Sequence, residues 1–214
     1  MLTLSPVEES ILQRTFALGL MQAGLALAGM TGQEIIVASP DVRRCTPAEV
    51  IAMAGGADRV VVGIYLGITG SLSGHALLML PPDGARDLAR ILLEGVGEEM
   101  PDADEPVDPT RPFELDPLSM SALMEVGNVT ISAFLNELGM HLHEPVMPTV
   151  PQVVVEMAGA ILDTVLVDLS MDSDQVLAAR AVFIRGYNAI EGALLILPRA
   201  ESVATLLSAL GVNG

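Results

Sequence analysis

The stretch SALMEVGNVTISAFLNELG, residues 121–139, is an apolar helical segment that carries three polar side chains in one row. Ser121, Glu125 and Asn128 stand at positions i, i+4 and i+7, which share one face of an α-helix. The residues between them are mostly aliphatic, so the segment has a core-facing side as well. The row therefore predicts either a solvated polar stripe or a functional site.

The chain repeats this segment in a weaker form. At an offset of 111 residues, a second long apolar helical pattern precedes an extended segment with a proline, and further along each half a strand ends in proline. The positions equivalent to Ser121, Glu125, Asn128 and Pro151 are Ser10, Arg14, Ala17 and Pro40. Repeats of this length indicate a duplicated scaffold. The Glu and Asn pair is therefore present in only one of two similar halves.

The hydrophobic periodicity predicts a single α+β domain over residues 1–214. The first half covers residues 1–96, an acidic and proline-rich connector covers 97–114, and the second half covers 115–214. Helices are expected over residues 5–31, 46–56, 82–93, 115–138, 157–163 and 199–210. Extended segments are expected over residues 33–43, 58–68, 72–80, 142–156, 164–170, 177–186 and 190–197.

Composition excludes several classes of protein. A net charge of -17 argues against binding to nucleic acid or to an anionic membrane surface. The single cysteine, Cys45, excludes an intrachain disulfide. Residues 1–10 lack the basic start of a signal peptide, and the apolar run 15–30 is shorter than the roughly 20 residues of a membrane span. We therefore expect a cytoplasmic protein without a membrane-spanning helix.

The row of polar residues resembles the signature of the CheC/CheX/FliY family of chemotaxis phosphatases. That signature is Ser or Asp, three residues, Glu, two residues, Asn, and then a proline about two dozen residues later. Here Ser121, Glu125, Asn128 and Pro151 fill it. The resemblance implies an internally duplicated fold with pseudo-twofold symmetry, in which a mixed or antiparallel sheet is flanked by helices. Arg14 and Ala17 depart from the pattern and leave one complete centre in the second half.

The family acts on the phosphorylated response regulator CheY, and the resemblance extends roles to individual residues. Asn128 would orient the attacking water, and Glu125 would pair with the phosphate-binding Lys of the regulator. The chain would need no cofactor of its own, because the Mg2+ belongs to the regulator. An aspartyl phosphate requires positioning and electrostatic stabilisation rather than a nucleophile from the phosphatase. Ser121 would support the contact, and Pro151 would shape the strand that braces the helix. Gly127 has no side chain, so it would either let a partner backbone approach closely or be a tolerated helix glycine.

Two alternatives to an enzyme remain open at this point. The chain could be an adaptor that binds phosphorylated CheY or the receptor deamidase CheD without turnover, and the acidic connector could assist docking. It could also form a homodimer through the degenerate face of the first half. That face would present Ala17, Met21, Gly24 and Ala28 beside Arg14. The end of the sequence at Gly214 disfavours FliY, which carries a further C-terminal domain.

Candidate metal ligands are sparse. His141 and His143 would point the same way on the strand expected there, but no third ligand has suitable spacing. Asp172 and Asp174 are expected in a hairpin turn rather than in a calcium loop. His75 has no partner in the local sequence. Three methionines near the candidate helix are expected to be exposed if they contact a partner: Met100, Met120 and Met140.

Overall fold

The computed structural model of the protein describes residues 4–95, 97, 113–170, 175–185 and 188–212. The helices in this part of the chain are α1 (Pro6–Thr31), α2 (Pro47–Met53), α3 (Pro82–Gly95), α4 (Pro117–Leu142), α5 (Ala158–Ser170) and α6 (Ala200–Ala209). The strands are β1 (Ile35–Cys45), β2 (Val60–Gly70), β3 (Gly74–Leu80), β4 (Val146–Pro148), β5 (Gln152–Met157), β6 (Val176–Arg185) and β7 (Asn188–Pro198). The connector 97–114, apart from residues 97, 113 and 114, lies outside the described residues, as do Met100 and the expected turn at Asp172–Asp174.

The two long helices begin with different N-caps. At α1, Ser5 Oγ accepts a hydrogen bond from the Glu8 amide at 3.3 Å, and the Ser5 amide donates to Glu8 Oε2 at 2.6 Å. This reciprocal pair of hydrogen bonds is a capping box. At α4, Asp116 Oδ1 accepts from the amides of Leu118 and Ser119 at 2.9 and 3.0 Å. Both helices then have proline in the first turn and run for 26 residues.

The strands form one curled sheet in the order β1-β6-β7-β3-β2-β4, and β5 pairs with β2 beside β4. Every pairing among the described strands is antiparallel, so the fold class is α+β with an antiparallel rather than mixed sheet. Exchanging the two halves of the chain returns the same strand order read from the opposite edge. This order is the one that an internal duplication with pseudo-twofold symmetry would produce.

Each half also carries an irregularity in its edge pairing near the equivalent proline. In β1, the register with β6 shifts between Ala38 and Asp41, around Pro40. In the second half, the pairing with β2 stops at Pro148 and resumes at Gln152, so that Pro151 lies in the interruption. Proline has no amide hydrogen to donate to a ladder, which confines it to edges and bulges.

Helices cover both faces of the sheet. One core cluster joins α1, α3, α4 and α6 to residues such as Ile64 and Leu66 of β2. A second cluster, on the other face, joins α2 and α5 to Val61 and Leu77. The alternation of side chains along each strand sends neighbouring residues into different clusters. Residues of both halves therefore contribute to the same two cores.

Helices α1 and α4 are long and apolar enough to cross a membrane by length and composition alone. Both pack into the core against each other, with the rings of Phe16 and Phe134 edge to face at 5.7 Å between centroids. The close approach depends on Gly19, where an added Cβ would lie 2.7 Å from the Phe134 ring. Packing thus accounts for much of their apolar character. The absence of a membrane span remains a prediction.

Three secondary-structure predictions in the second half are wrong. Helix α4 continues to Leu142, four residues beyond the predicted end. The long strand predicted over residues 142–156 is two short strands, β4 and β5, because Pro148 and Pro151 interrupt the ladder. Residues 164–170 belong to helix α5, not to a strand. A short apolar run rich in Val fits a buried helix as well as a strand, and here the buried positions follow the helical period.

Candidate functional site

The polar row of α4 lies on its solvent side. Ser121 and Glu125 are exposed, and Asn128 is half-buried. The neighbouring residues Val126 and Gly127 are buried and face the interior of the protein. The helical period thus separates a core face from a polar face, as the spacing predicted.

The side chains of Glu125 and Asn128 have no partner among the described residues. Among the described residues, neither the Glu125 carboxylate nor the Asn128 amide makes a hydrogen bond or an ion pair. Ser121 differs, because its Oγ donates to the carbonyl of Pro117 at 3.0 Å within the same helix. Glu125 and Asn128 therefore present their full hydrogen-bonding capacity to whatever docks on this face.

Gly127 has a packing role rather than a contact role. A Cβ built at this position would lie 2.5 Å from Ile64 Cγ2 and 3.3 Å from Leu66 Cδ1. Glycine allows α4 to approach β2 closely at the point where Glu125 and Asn128 project outward. The suggestion that Gly127 supports partner binding is therefore corrected, because its surface is turned toward the sheet.

Pro151 lies at the break between β4 and β5, on the edge of β2. Just before it, the Thr149 amide donates to the Gly67 carbonyl at 2.9 Å, and the Gly67 amide donates to Thr149 Oγ1 at 2.8 Å. These two bonds hold the interrupted edge against β2. Pro151 is half-buried there. Its place in the edge agrees with a structural role for the signature proline.

The N-cap gives α4 a fixed negative charge at its start. Burial raises the pKa of Asp116, but hydrogen bonds from the Ser119 hydroxyl and from the amides of Ser119 and Leu118 outweigh burial and lower the pKa below its ordinary value. Asp116 is therefore ionised at neutral pH and satisfies the amides at the helix N-terminus. The cap fixes the register of α4 and with it the direction of the polar row.

The equivalent row of α1 has the same exposure but different chemistry. Ser10 and Arg14 are exposed and Ala17 is half-buried, which matches Ser121, Glu125 and Asn128 position by position. Pro40, the equivalent of Pro151, is exposed within β1. The first half therefore presents a cation and a methyl group where the second presents a carboxylate and an amide.

The small apolar face predicted on α1 has a different composition in the structure. Gly24 is buried, and an added Cβ would lie 2.2 Å from Val37 Cγ2. The side chains that reach solvent are larger: Leu18, Met21 and Leu25 are 47%, 53% and 64% exposed. Ala17 and Ala28 are half-buried beside them. The homodimer expected from this face stays a prediction.

The histidines near the end of α4 are not arranged as predicted. His141 lies in the last turn of the helix, and His143 is its C-cap in the left-handed conformation, so the two rings do not project from one strand. His141 Nε2 lies 3.6 Å from Glu137 Oε1. In the part of the chain that the structure describes, no group of three His, Cys, Asp or Glu side chains could hold a metal ion. Met140 is exposed and Met120 is half-buried.

Sequence reasoning missed a polar network on the other face of the sheet. Tyr65 Oη lies 3.0 Å from His75 Nδ1, and His75 Nε2 lies 2.8 Å from Asp168 Oδ2. Arg199 at the start of α6 contacts the same carboxylate oxygen. The four residues come from β2, β3, α5 and the N-cap of α6. No local sequence pattern predicts this network, because its four residues are far apart in the sequence.

Comparison with solved structures identifies the class of fold. The chain superposes on the crystal structure of FliY from Thermotoga maritima with a TM-score of 0.70, covering 99% of this chain and 100% of that one at 16% identity. It also matches CheX in the CheX–CheY–BeF3–Mg2+ complex from Borrelia burgdorferi, with a TM-score of 0.56, 17% identity and coverage of 86% and 97%. The protein therefore has the fold of FliY and CheX.

Sequence comparison adds a relative with a named activity. The CheY-P phosphatase CheC of Bacillus subtilis (strain 168) is 25% identical over 205 residues, which cover 95% of this chain and 93% of the relative. No protein-family model matches the chain. The full-length similarity to CheC, together with the fold of FliY and CheX, confirms the resemblance to the CheC/CheX/FliY family of chemotaxis proteins.

Proposed function

We propose that the protein accelerates hydrolysis of the aspartyl phosphate on a CheY-type response regulator. The observation that carries this proposal is the pair Glu125 and Asn128, unpartnered on the solvent side of a helix whose other face packs in the core. Full-length similarity to a CheY-P phosphatase and a shared fold with a protein captured on CheY support the same substrate. We place the reaction in the cytoplasm.

Asn128 is proposed to orient the attacking water. The carbonyl of an Asn side chain accepts a hydrogen bond from water, while its NH2 group donates toward a phosphoryl oxygen. Hydrolysis of an acyl phosphate needs the water held in line with phosphorus and the developing charge stabilised. The half-buried position of Asn128 on α4 limits the motion of its side chain, so less entropy is lost when the regulator docks.

Glu125 is proposed to pair with the phosphate-binding Lys of the regulator. One helical turn separates it from Asn128, so both side chains can enter the same partner site. The metal in this scheme is the Mg2+ of the regulator. Loss of the equivalent pair at Arg14 and Ala17 leaves one centre per chain.

Phosphate release from a CheY-type regulator charged with acetyl phosphate and Mg2+ tests the proposal. We expect the wild-type chain to accelerate release and Asn128→Ala to lose at least about a hundredfold of that acceleration, as for removal of one transition-state hydrogen-bond partner. Asn136→Ala is the matched control, because Asn136 is an exposed Asn about 12 Å further along the same helix. The control should retain full activity.

Binding must be measured alongside turnover. A folded wild-type chain that binds the phosphorylated regulator without accelerating phosphate release would contradict the phosphatase proposal and indicate an adaptor. Equal losses in Asn128→Ala and Asn136→Ala would show that the helix surface, rather than the Asn128 amide, is required. Pull-down of CheD from the same preparation distinguishes an adaptor for CheD from one for CheY.

A further inference from the structure

A cleft of about 360 Å3 opens on the face of the sheet opposite α4. Its floor is an apolar row across three neighbouring strands, in which Val182 pairs with Ala193 and Ala193 pairs with Met79. Residues directly opposite each other on paired strands direct their side chains to the same face. The two residues that follow α2, Ala54 and Gly55, line one side of the cleft. Its volume lies within the range of small-molecule sites.

The short helix of the first half leaves this cleft open. Helices α2 and α5 begin at equivalent positions, Pro47 and Ala158, at the offset of 111 residues that relates the two halves. Helix α5 has 13 residues and continues over β2, where a Cβ built on Gly63 would lie 2.8 Å from Ile161. Helix α2 has seven residues and ends at Met53. It is therefore too short to cover the floor of the cleft in the way that α5 covers β2.

Arg180 enters the cleft from β6. It precedes Val182 by two residues, so the two side chains lie on the same face of the strand. Among the described residues, its guanidinium has no hydrogen-bond or ion-pair partner, and its Nε is buried without an acceptor. A buried donor that is left unpaired destabilises a fold, and the cost is larger for a charged group. An anion bound beside Arg180 would compensate its charge.

A shortage of carboxylates does not explain this unpaired cation. The chain has 27 Asp and Glu residues against ten basic ones. Arg43 Nε lies 3.0 Å from Asp41 Oδ2, and Arg199 contacts the carboxylate of Asp168. Among the described residues that line the cleft, none is Asp or Glu. The fold thus places Arg180 where no acidic side chain of the described chain neutralises it.

Arg59 adds a second positive charge to the same cleft. Its Nη1 would lie 2.8 Å from a Cβ built on Gly55, which places the guanidinium beside the end of α2. Arg59 has an interaction of its own within the chain, so we assign it no direct contact with a ligand. Its charge still raises the electrostatic potential inside the cleft. The cleft therefore combines an apolar floor with a positive potential in a strongly acidic chain.

We propose that this cleft binds a small carboxylate with an apolar body, whose carboxylate pairs with Arg180 and whose body rests on Val182, Ala193 and Met79. A planar guanidinium matches a carboxylate through two parallel hydrogen bonds. The floor spans two strand spacings, about 10 Å, which is the length of a carboxylate with a short hydrocarbon body. Inorganic phosphate has no apolar surface to bury on this floor.

Binding of 3-phenylpropanoate, followed by NMR through the Nε–H signal of Arg180 and the methyl signals of Val182 and Met79, tests this proposal. The matched probe 3-phenylpropanamide keeps the size and the apolar body but has no charge. We expect the carboxylate to bind at least about tenfold more tightly than the amide. The net charge of -17 repels anions, so general attraction cannot produce this preference. Equal affinities would overturn the proposal.

Inorganic phosphate tests the contribution of the apolar floor. We expect it to bind at least about tenfold more weakly than 3-phenylpropanoate, because it gains nothing from apolar burial. Phosphate that binds as tightly as the carboxylate, or more tightly, would contradict a ligand with an apolar body.

Arg180→Gln should weaken 3-phenylpropanoate binding at least about tenfold, to the level of the amide, and leave amide binding unchanged. Arg14→Gln is the matched control, because it removes the same charge from an exposed position on α1. Its effect on carboxylate binding should be less than about twofold, since salt screens distant exposed charges. Equal losses in the two variants would show that only net charge matters and would refute the site.

Arg180→Lys keeps the proposal testable if Arg180→Gln does not fold. Lysine retains the positive charge but not the planar pair of donors, so carboxylate binding should weaken about three- to fivefold. An unchanged affinity would contradict pairing with the guanidinium. Phosphate release from the regulator should be unchanged in Arg180→Gln, because the cleft lies on the face of the sheet opposite α4. Failure of the carboxylate site therefore leaves the proposed phosphatase function intact.

Discussion

Helices α1 and α4 are two versions of one element. Both run for 26 residues, begin with a polar cap and proline, and end in the left-handed conformation, at Gly32 and His143. Both place their i, i+4, i+7 rows in the same exposure pattern. They differ in the chemistry of that row, since α1 carries Arg14 and Ala17 where α4 carries Glu125 and Asn128.

The fold does not require the polar row. The first half builds the same helix, packs it on the same core and pairs the same kind of interrupted edge strand without a Glu or an Asn. A helix of this kind therefore does not need Glu125 and Asn128 for its stability.

Giving α4 the row of α1 should remove the proposed activity. The double variant Glu125→Arg/Asn128→Ala is expected to lose at least about a hundredfold in acceleration of CheY phosphate release, because water positioning and the pairing with Lys are lost together. Its thermal unfolding should stay close to that of the wild type, since both residues lie outside the core. A melting temperature lowered by several degrees would instead show that the row contributes to the stability of the fold.

Glycines in the two helices should respond in opposite directions to alanine. Gly127→Ala should destabilise the protein by about 1–3 kcal/mol, because its Cβ would meet Ile64 at 2.5 Å. Gly29→Ala in α1 should stabilise it by up to about 1 kcal/mol, because nothing lies within 4 Å of the added atom and alanine favours a helix. Urea denaturation measures both. A neutral Gly127→Ala would contradict the close packing of α4 on β2.

The caps of both helices should respond to acid, because each contains a carboxylate with a lowered pKa: Asp116 in α4 and Glu8 in the capping box of α1. Asp116→Ala should cost about 1 kcal/mol at neutral pH, as should Ser5→Ala. The pKa of Asp116 is lowered in the folded state, so its stabilising effect is complete above about pH 3.8 and is lost as pH falls through the folded-state pKa. Asp116→Asn keeps a cap without the charge, and its stability should therefore depend less on pH below about pH 4. Identical acid unfolding curves for Asp116→Asn and the wild type would contradict this assignment.

Giving α1 the row of α4 should produce the smallest effect. Arg14→Glu/Ala17→Asn restores the signature on a helix of matching exposure, and a second centre can at most double the phosphate released per chain. The clean readout is this pair in the Asn128→Ala background, where activity regained from α1 stands above a low baseline. No recovery would show that the surroundings of α1, including its exposed Leu18, Met21 and Leu25, do not accept the regulator.

Local features of the fold were predictable because local contacts decide them. The Ser5 capping box, the helical period of the row and the strands of the first half follow from residues within a few positions of one another. The second half is less predictable from sequence. The Val- and Leu-rich residues 164–170 predict a strand but form part of α5, because such a run has no period that excludes either structure.

The order of the amino acids alone places Ser121, Glu125 and Asn128 on one face of a helix, shows a related half without this chemistry, and reveals the resemblance to the CheC/CheX/FliY family. The packing of the elements is needed to show that Gly127 faces β2 and that His141 and His143 do not share a strand. It also brings Tyr65, His75, Asp168 and Arg199 together on the face of the sheet opposite α4. The difference lies in the range of the contacts, because hydrophobic periodicity records contacts within one element, whereas these arrangements depend on which elements the antiparallel sheet brings together.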